Sequence, residues 1–135
     1  MSHVEIIPNL WLGNKYSTSI FEGDSVLSIG GKPYKTFQNH LKVSIKDSKE
    51  SNISFILPKA LHFINEELNS NHKLLVHCQG GINRSPAIII AYIVIYKSYS
   101  VDDASVLVKT KKPSIRLQQH YLDSISEYSK AIIDN

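Results

Sequence analysis

Cys78 is the one cysteine of the chain, and Arg84 is one of only two arginines among fifteen basic side chains. Five residues separate them, in the run His77-Cys78-Gln79-Gly80-Gly81-Ile82-Asn83-Arg84-Ser85. A sulfur nucleophile and a guanidinium so placed can attack and hold a phosphate monoester. The planar fork takes two equatorial oxygens of a transferring phosphoryl group at once, which the point charge of lysine does not. Between the two lie two glycines and no proline, so every backbone N–H of Gln79, Gly80, Gly81, Ile82 and Asn83 can turn inward and cradle an anion.

The flanking residues supply the elements such a loop needs. Lys73 to His77 reads as an apolar strand, and Ser85-Pro86 opens a helix, proline being tolerated in a first turn. A helix N-terminus behind the loop adds partial positive charge for a bound phosphate, and the same field favours a thiolate on Cys78. His77 is placed to orient the loop, and the Ser85 hydroxyl to donate to the sulfur. A lone cysteine is more often a small buried hydrophobe. Strand, glycine-rich loop and helix start together argue against that reading here.

Expelling an alkoxide or phenoxide needs a proton, so the chemistry also wants a carboxylic acid facing the sulfur. Of twelve carboxylates, Asp47 is the best placed. It ends the alternating stretch Leu41 to Lys46, which reads as a strand of period two, and it begins the polar loop Ser48 to Asn52. In a parallel sheet whose neighbouring strand ends at Cys78, that loop meets the cysteine at the same edge. Glu50, on the same loop, is the alternative. Capping a turn is the non-catalytic role open to Asp47. The other histidines show no ligand spacing, so neither a metal nor another cofactor is expected.

His77 to Ser85 resembles the HCxxGxxR[ST] signature of cysteine-dependent protein phosphatases, and specifically the small dual-specificity branch. Ile6 to Asn14 is similar to that branch's opening segment, and Asp47 falls where the branch places its general acid. Ser85 to Tyr96 is similar to the helix after the loop, and Lys112-Pro113 with Tyr121-Leu122 to the closing helical segment. The resemblance implies a phosphatase fold with Cys78 as nucleophile, Arg84 and loop residues 79–83 as phosphate clamp, Asp47 as acid then base, and Ser85 easing departure of the thiolate. It implies phosphotyrosine and phosphoserine/phosphothreonine of proteins as substrates, through a cysteinyl-phosphate. A second reading is an RNA 5′-triphosphatase, whose branch carries the G-x-N-R of Gly81-Ile82-Asn83-Arg84. Against it stand Gln79-Gly80 and Ser85-Pro86, which depart from that branch. A third is a catalytically dead phosphate-binding module, against which Cys78, Arg84 and Asp47 are all intact.

With 135 residues, 42% hydrophobic and 20% charged, the chain fits one compact soluble domain spanning 1–135. The expected architecture is α/β, with a mainly parallel sheet of about five strands flanked by helices. Strands are expected near Val4–Ile7, Leu10–Leu12, Val26–Ile29, Lys42–Ile45 and Lys73–His77. Helices are expected near Ile53–Asn69, Ser85–Lys97, Asp102–Lys109 and Leu117–Ile132. No stretch approaches the about twenty apolar residues that cross a bilayer, so no membrane partner is expected. The start Met1 to Glu5 has no signal-peptide pattern, and a lone catalytic thiol calls for a reducing compartment, so the cytoplasm or nucleus is expected. The net charge of +3 falls far short of a nucleic-acid arm. Nucleic acid enters only with the triphosphatase reading, and the sequence leaves the oligomeric state open.

Overall fold

The computed structural model describes residues 3–45, 52–79 and 83–133. Five strands form one sheet: β1 (His3–Ile7), β2 (Leu10–Gly13), β3 (Ser25–Ile29), β4 (Asn39–Val43) and β5 (Leu74–Cys78). Their order is β1-β2-β5-β3-β4, so β5 is the central strand. β2, β5, β3 and β4 run parallel and only β1 is antiparallel, joined to β2 by a tight turn in which Asn9 takes φ 70°. The sheet is therefore mainly parallel, as the sequence led us to expect.

Four α-helices follow: α1 (Leu57–Asn69), α2 (Arg84–Lys97), α3 (Val101–Lys111) and α4 (Gln119–Ile133). α1 packs on β3, β4 and β5, α2 on β2 and β5, and α3 on β1, while α4 packs behind α2. In β5 and β3 the side chains alternate, as a pleated strand requires. Leu74, Val76, Cys78, Leu27 and Ile29 join the large core under the helices. Leu75 and Val26 point the other way, into a smaller cluster with Phe21 and Phe37 that Trp11 packs against. α2 is buried without interruption from Ser85 to Val94. It is an internal core helix, which is why its sequence is apolar all round.

Two expected elements differ. The helix expected over Ile53–Asn69 is a 3-10 turn, Ile53–Phe55, followed by α1 with Pro58 in its first turn. Proline there lacks the N–H that would have continued the ladder backwards. The strand expected over Lys42–Ile45 is β4, Asn39–Val43, shifted toward the N-terminus. The alternating pattern runs on past Val43, but the hydrogen-bonded register with β3 ends at Ile29–Val43.

Candidate active site

β5 delivers Cys78 to the C-terminal edge at the middle of the sheet, with β2 on one side and β3 on the other. α2 begins at Arg84, so its N-terminal N–H groups and positive dipole end face the region just beyond the sulfur. Ser85, in the first turn of α2, is fully buried and its Oγ lies 3.2 Å from Cys78 Sγ. A hydroxyl there can donate to a thiolate and stabilise it as a leaving group. Asn83, immediately before α2, is buried, whereas Gln79, immediately after Cys78, is exposed.

Arg84 is held from the opposite side of the cleft. Its Nη1 donates to the carbonyl of Ile45 at 2.9 Å. The guanidinium passes over Gly30, which has φ +69°, and a Cβ at Gly30 would stand 2.6 Å from Arg84 Nη1. Gly30 is therefore required twice, for its left-handed backbone and for the space it leaves. The loop it opens packs at van der Waals distance from Gln79, whose Cγ would lie 3.8 Å from a Cβ on Gly31.

His77 does not point at the sulfur's own side of the sheet. It is 1% exposed, on the face opposite the helices, and its Nε2 lies 2.6 Å from Ser28 Oγ. Ser28 is its register partner on β3. Burial pulls the imidazole down to about 4, against the opposing pull of the Cys78 backbone, with the charge of His40 lowering it further. His77 is thus neutral near pH 7, and its Nε2 is hydrogen-bonded to Ser28.

The site residues read from sequence divide into two groups. Cys78, Arg84, Ser85, His77, Gln79 and Asn83 converge on one edge of the sheet. Asp47, its alternative Glu50, and Gly80, Gly81 and Ile82 of the loop lie outside the described residues. The sheet order corrects one step of the argument for Asp47: β4 is not beside β5, because β3 lies between them. The three strands are nonetheless parallel, so their C-terminal ends share an edge, and Ile45 beyond β4 reaches Arg84.

Sequence reasoning missed four contributors: Ser28, His40, Gly30 and Ile45. A serine in the centre of the apolar run Val26–Ile29 was a legible signal for the first. A further feature is a pocket of about 240 Å³ beside the loop, lined by Lys15, Gly31, Lys32, Tyr34, His77 and Gln79. Its wall is built by a 3-10 turn at Lys15–Ser19, capped by the Asn14 side chain. Thr18 Oγ1 accepts from the backbone N–H of Tyr34 at 2.8 Å, which ties that turn to the loop after β3.

Residues 13–131 match the family model described as "Dual specificity phosphatase, catalytic domain". The chain is 30% identical to the putative tyrosine phosphatase 123R of Invertebrate iridescent virus 6, over 96% of this chain and 94% of that one. It is 28% identical to human dual specificity protein phosphatase 9 over 96% of its length, but spans only 36% of that protein. It spans 21% of the tyrosine-protein phosphatase vhp-1 of Caenorhabditis elegans, to which it is also 28% identical. The crystal structure of a human tyrosine phosphatase-like serine/threonine/tyrosine-interacting protein superposes with a TM-score of 0.89 at 27% identity, covering 98% of each chain. Human DUSP28 superposes with a TM-score of 0.90 at 19% identity over 98% of this chain and 96% of that one, a likeness of fold alone. The chain belongs to the family of dual-specificity phosphatase catalytic domains.

Proposed function

We propose that this chain hydrolyses phosphate monoesters on phosphotyrosine and on phosphoserine or phosphothreonine of proteins, through a cysteinyl-phosphate. The observation that carries this reading is the meeting of Cys78 Sγ and Ser85 Oγ at 3.2 Å, at a helix N-terminus whose first residue is Arg84. The names of the relatives support it, being dual-specificity and tyrosine phosphatases.

In the first step the Cys78 thiolate attacks phosphorus, the substrate oxygen leaves, and Asp47 gives that oxygen its proton. Arg84 and the backbone N–H groups of residues 79–83 hold the equatorial oxygens, where charge is greatest in the transition state. In the second step Asp47 takes a proton from water as the water attacks phosphorus. The S–P bond breaks, and the Ser85 hydroxyl donates to the departing thiolate. Phosphate is released and Asp47 is again protonated.

Lys15, Lys32 and Tyr34 beside the loop support a peptide substrate with acidic residues near its phosphorylated one, since no carboxylate is among the described residues lining that pocket. A thiol nucleophile also works best in a reducing compartment, which favours the cytoplasm or nucleus.

Parallel assays on a phosphotyrosine peptide, a phosphothreonine peptide and triphosphate-ended RNA test the reading. Both peptides should be turned over, and Cys78→Ser should retain less than about one per cent of that rate, hydroxyl being a poor nucleophile at neutral pH. Turnover of the RNA with neither peptide accepted would overturn the proposal in favour of a triphosphatase.

A further inference from the structure

Ser28 sits between two histidines on the face of the sheet away from the helices. The register sets Ser28 of β3 against His77 of β5 and against Lys42 of β4, with His40 two residues before Lys42. Paired residues in parallel strands share a face, so all four side chains lie on one side. Ser28 Oγ is 2.6 Å from His77 Nε2 and 3.1 Å from His40 Nε2. His77 and Ser28 are buried and His40 is exposed, so the three connect solvent to the residue bonded to Cys78.

A hydroxyl carries one proton, and a neutral imidazole has one N–H and one bare nitrogen. Ser28 can therefore donate to only one of the two rings at a time, and can accept from the other. When His40 is protonated, both its nitrogens are donors, so Nε2–H donates to Ser28. The Ser28 hydroxyl then has its proton free for His77 Nε2, and donating it there leaves the His77 proton on Nδ1. When His40 is neutral with a bare Nε2, Ser28 turns to donate to it and accepts from His77 Nε2–H, leaving Nδ1 bare. His77 gains no net proton in this exchange; the proton lost to solvent is that of His40.

We propose that His40, acting through Ser28, is a positioning residue for the phosphatase reaction: it selects which ring nitrogen of His77 carries the proton, and so whether the ring can donate to the backbone of Cys78 from the face of the sheet away from the sulfur. The proposal rests on the phosphatase reading above. A static Ser28–His77 pair would close the same buried contact but would leave His77 indifferent to His40.

The electrostatics set where the exchange occurs. Partial burial, and then the nearby Lys42, hold His40 below its usual 6.5. Lys32, Lys35 and Tyr34 line the same hollow as His40, and no carboxylate is among its described lining residues. His77 itself, at about 4, stays neutral above pH 5. The His40 transition therefore falls on the acid side of pH 6.5, where His77 has only its tautomer to change.

Imidazole nitrogen NMR on the ¹⁵N-labelled full chain tests this, together with pH–rate profiles on p-nitrophenyl phosphate. With His40 titrating, the His77 signals should move from Nδ1–H at low pH toward Nε2–H, with the midpoint of His40. In His40→Phe, at an exposed position, His77 should hold one tautomer, and the inflection at that midpoint should vanish from the kcat profile. A kcat change of roughly fivefold is expected at the acid end, the worth of one hydrogen bond, with KM within about twofold. Ser28→Ala should abolish the correlation, and Ser28→Thr should restore it. Wild-type turnover with a His77 tautomer that ignores His40, or a His40→Phe profile superimposable on wild type, would overturn the proposal alone. No wild-type turnover of any phosphate ester would overturn the phosphatase reading, and this one with it.

Discussion

Arg84 Nη1 and the carbonyl of Ile45 are joined at 2.9 Å. This one bond links the residue best suited to clamp a phosphate with the segment leading to Asp47, two residues further on. A guanidinium has five N–H groups. The bond to Ile45 uses one of them and orients the plane of the fork. Because Gly30 leaves the space through which that fork passes, the placing of Arg84 against Ile45 depends on a residue without a side chain.

Gly30→Ala should therefore damage catalysis from outside the loop. The added methyl would stand 2.6 Å from Arg84 Nη1, at φ +69°. We expect kcat/KM to fall by about tenfold or more as the fork is displaced, with a stability loss of about 1 kcal/mol from the backbone strain. Steady-state kinetics beside a thermal melt will separate the two, and an unchanged kcat/KM would refute the role assigned to the Gly30 gap.

Asp47→Asn should lower kcat by roughly 10²–10⁴-fold on an alkyl phosphate, the usual worth of a general acid. The loss should be smaller on an aryl phosphate whose leaving group departs without a proton. An equal deficit on both substrates would move the acid role to Glu50, to be tested as Glu50→Gln.

Ser85→Ala removes the hydroxyl 3.2 Å from Cys78 Sγ. If that hydroxyl assists departure of the thiolate, hydrolysis of the phospho-enzyme should slow more than its formation. Rapid-quench kinetics should then show a burst of leaving group followed by a slow steady state. A uniform slowing of both phases would contradict the assignment.

Stability should fall with acid before the usual carboxylate range is reached. Folded His77 titrates at about 4 against 6.5 for an unperturbed ring, so between these values the unfolded chain binds more protons. The folded state thus loses stability as pH falls from 6.5 to 4, by about 3 kcal/mol. Glu67 continues the loss below that window. Burial pushes its carboxyl up, but hydrogen bonds from Ser25, Asn39 and His72 and the charge of His72 outweigh it, leaving it below its ordinary value. Its contribution is present above the unfolded carboxylate pKa and disappears as pH drops through the folded one. Urea midpoints at pH 7, 5.5 and 4 will check the trend, and a flat series would exclude it.

Peroxide should inactivate the protein without an internal disulfide, since Cys78 is the only cysteine. A sulfenic acid with no second thiol in the chain can be trapped as a sulfenamide or by an external thiol, and otherwise proceeds to sulfinic acid. Glutathione present during oxidation should preserve activity that reductant can restore, while peroxide alone should not. Mass spectrometry after graded peroxide decides it. Full recovery after peroxide alone, with no sulfenamide, would point to another means of protection.

The sequence by itself determined the parts of this protein that are contiguous. Cys78, the glycines, Arg84, Ser85 and the apolar helix after them form one strand–loop–helix unit, whose chemistry and geometry are local and so can be read in a line. The mainly parallel sheet was legible for a related reason, because strands and helices alternate along the chain. Only the tertiary structure decided what meets across the sheet. That β3 separates β4 from β5, that Ser28 faces both His77 and His40, that Gly30 lies under Arg84, and that Glu67 gathers Ser25, Asn39 and His72 all follow from strand order and register. Alternating hydrophobicity says which face a residue takes, but it carries no information on which strand lies beside it or where pairing stops. The end of β4 at Val43 shows the same limit, since the alternation continues where the hydrogen bonds do not.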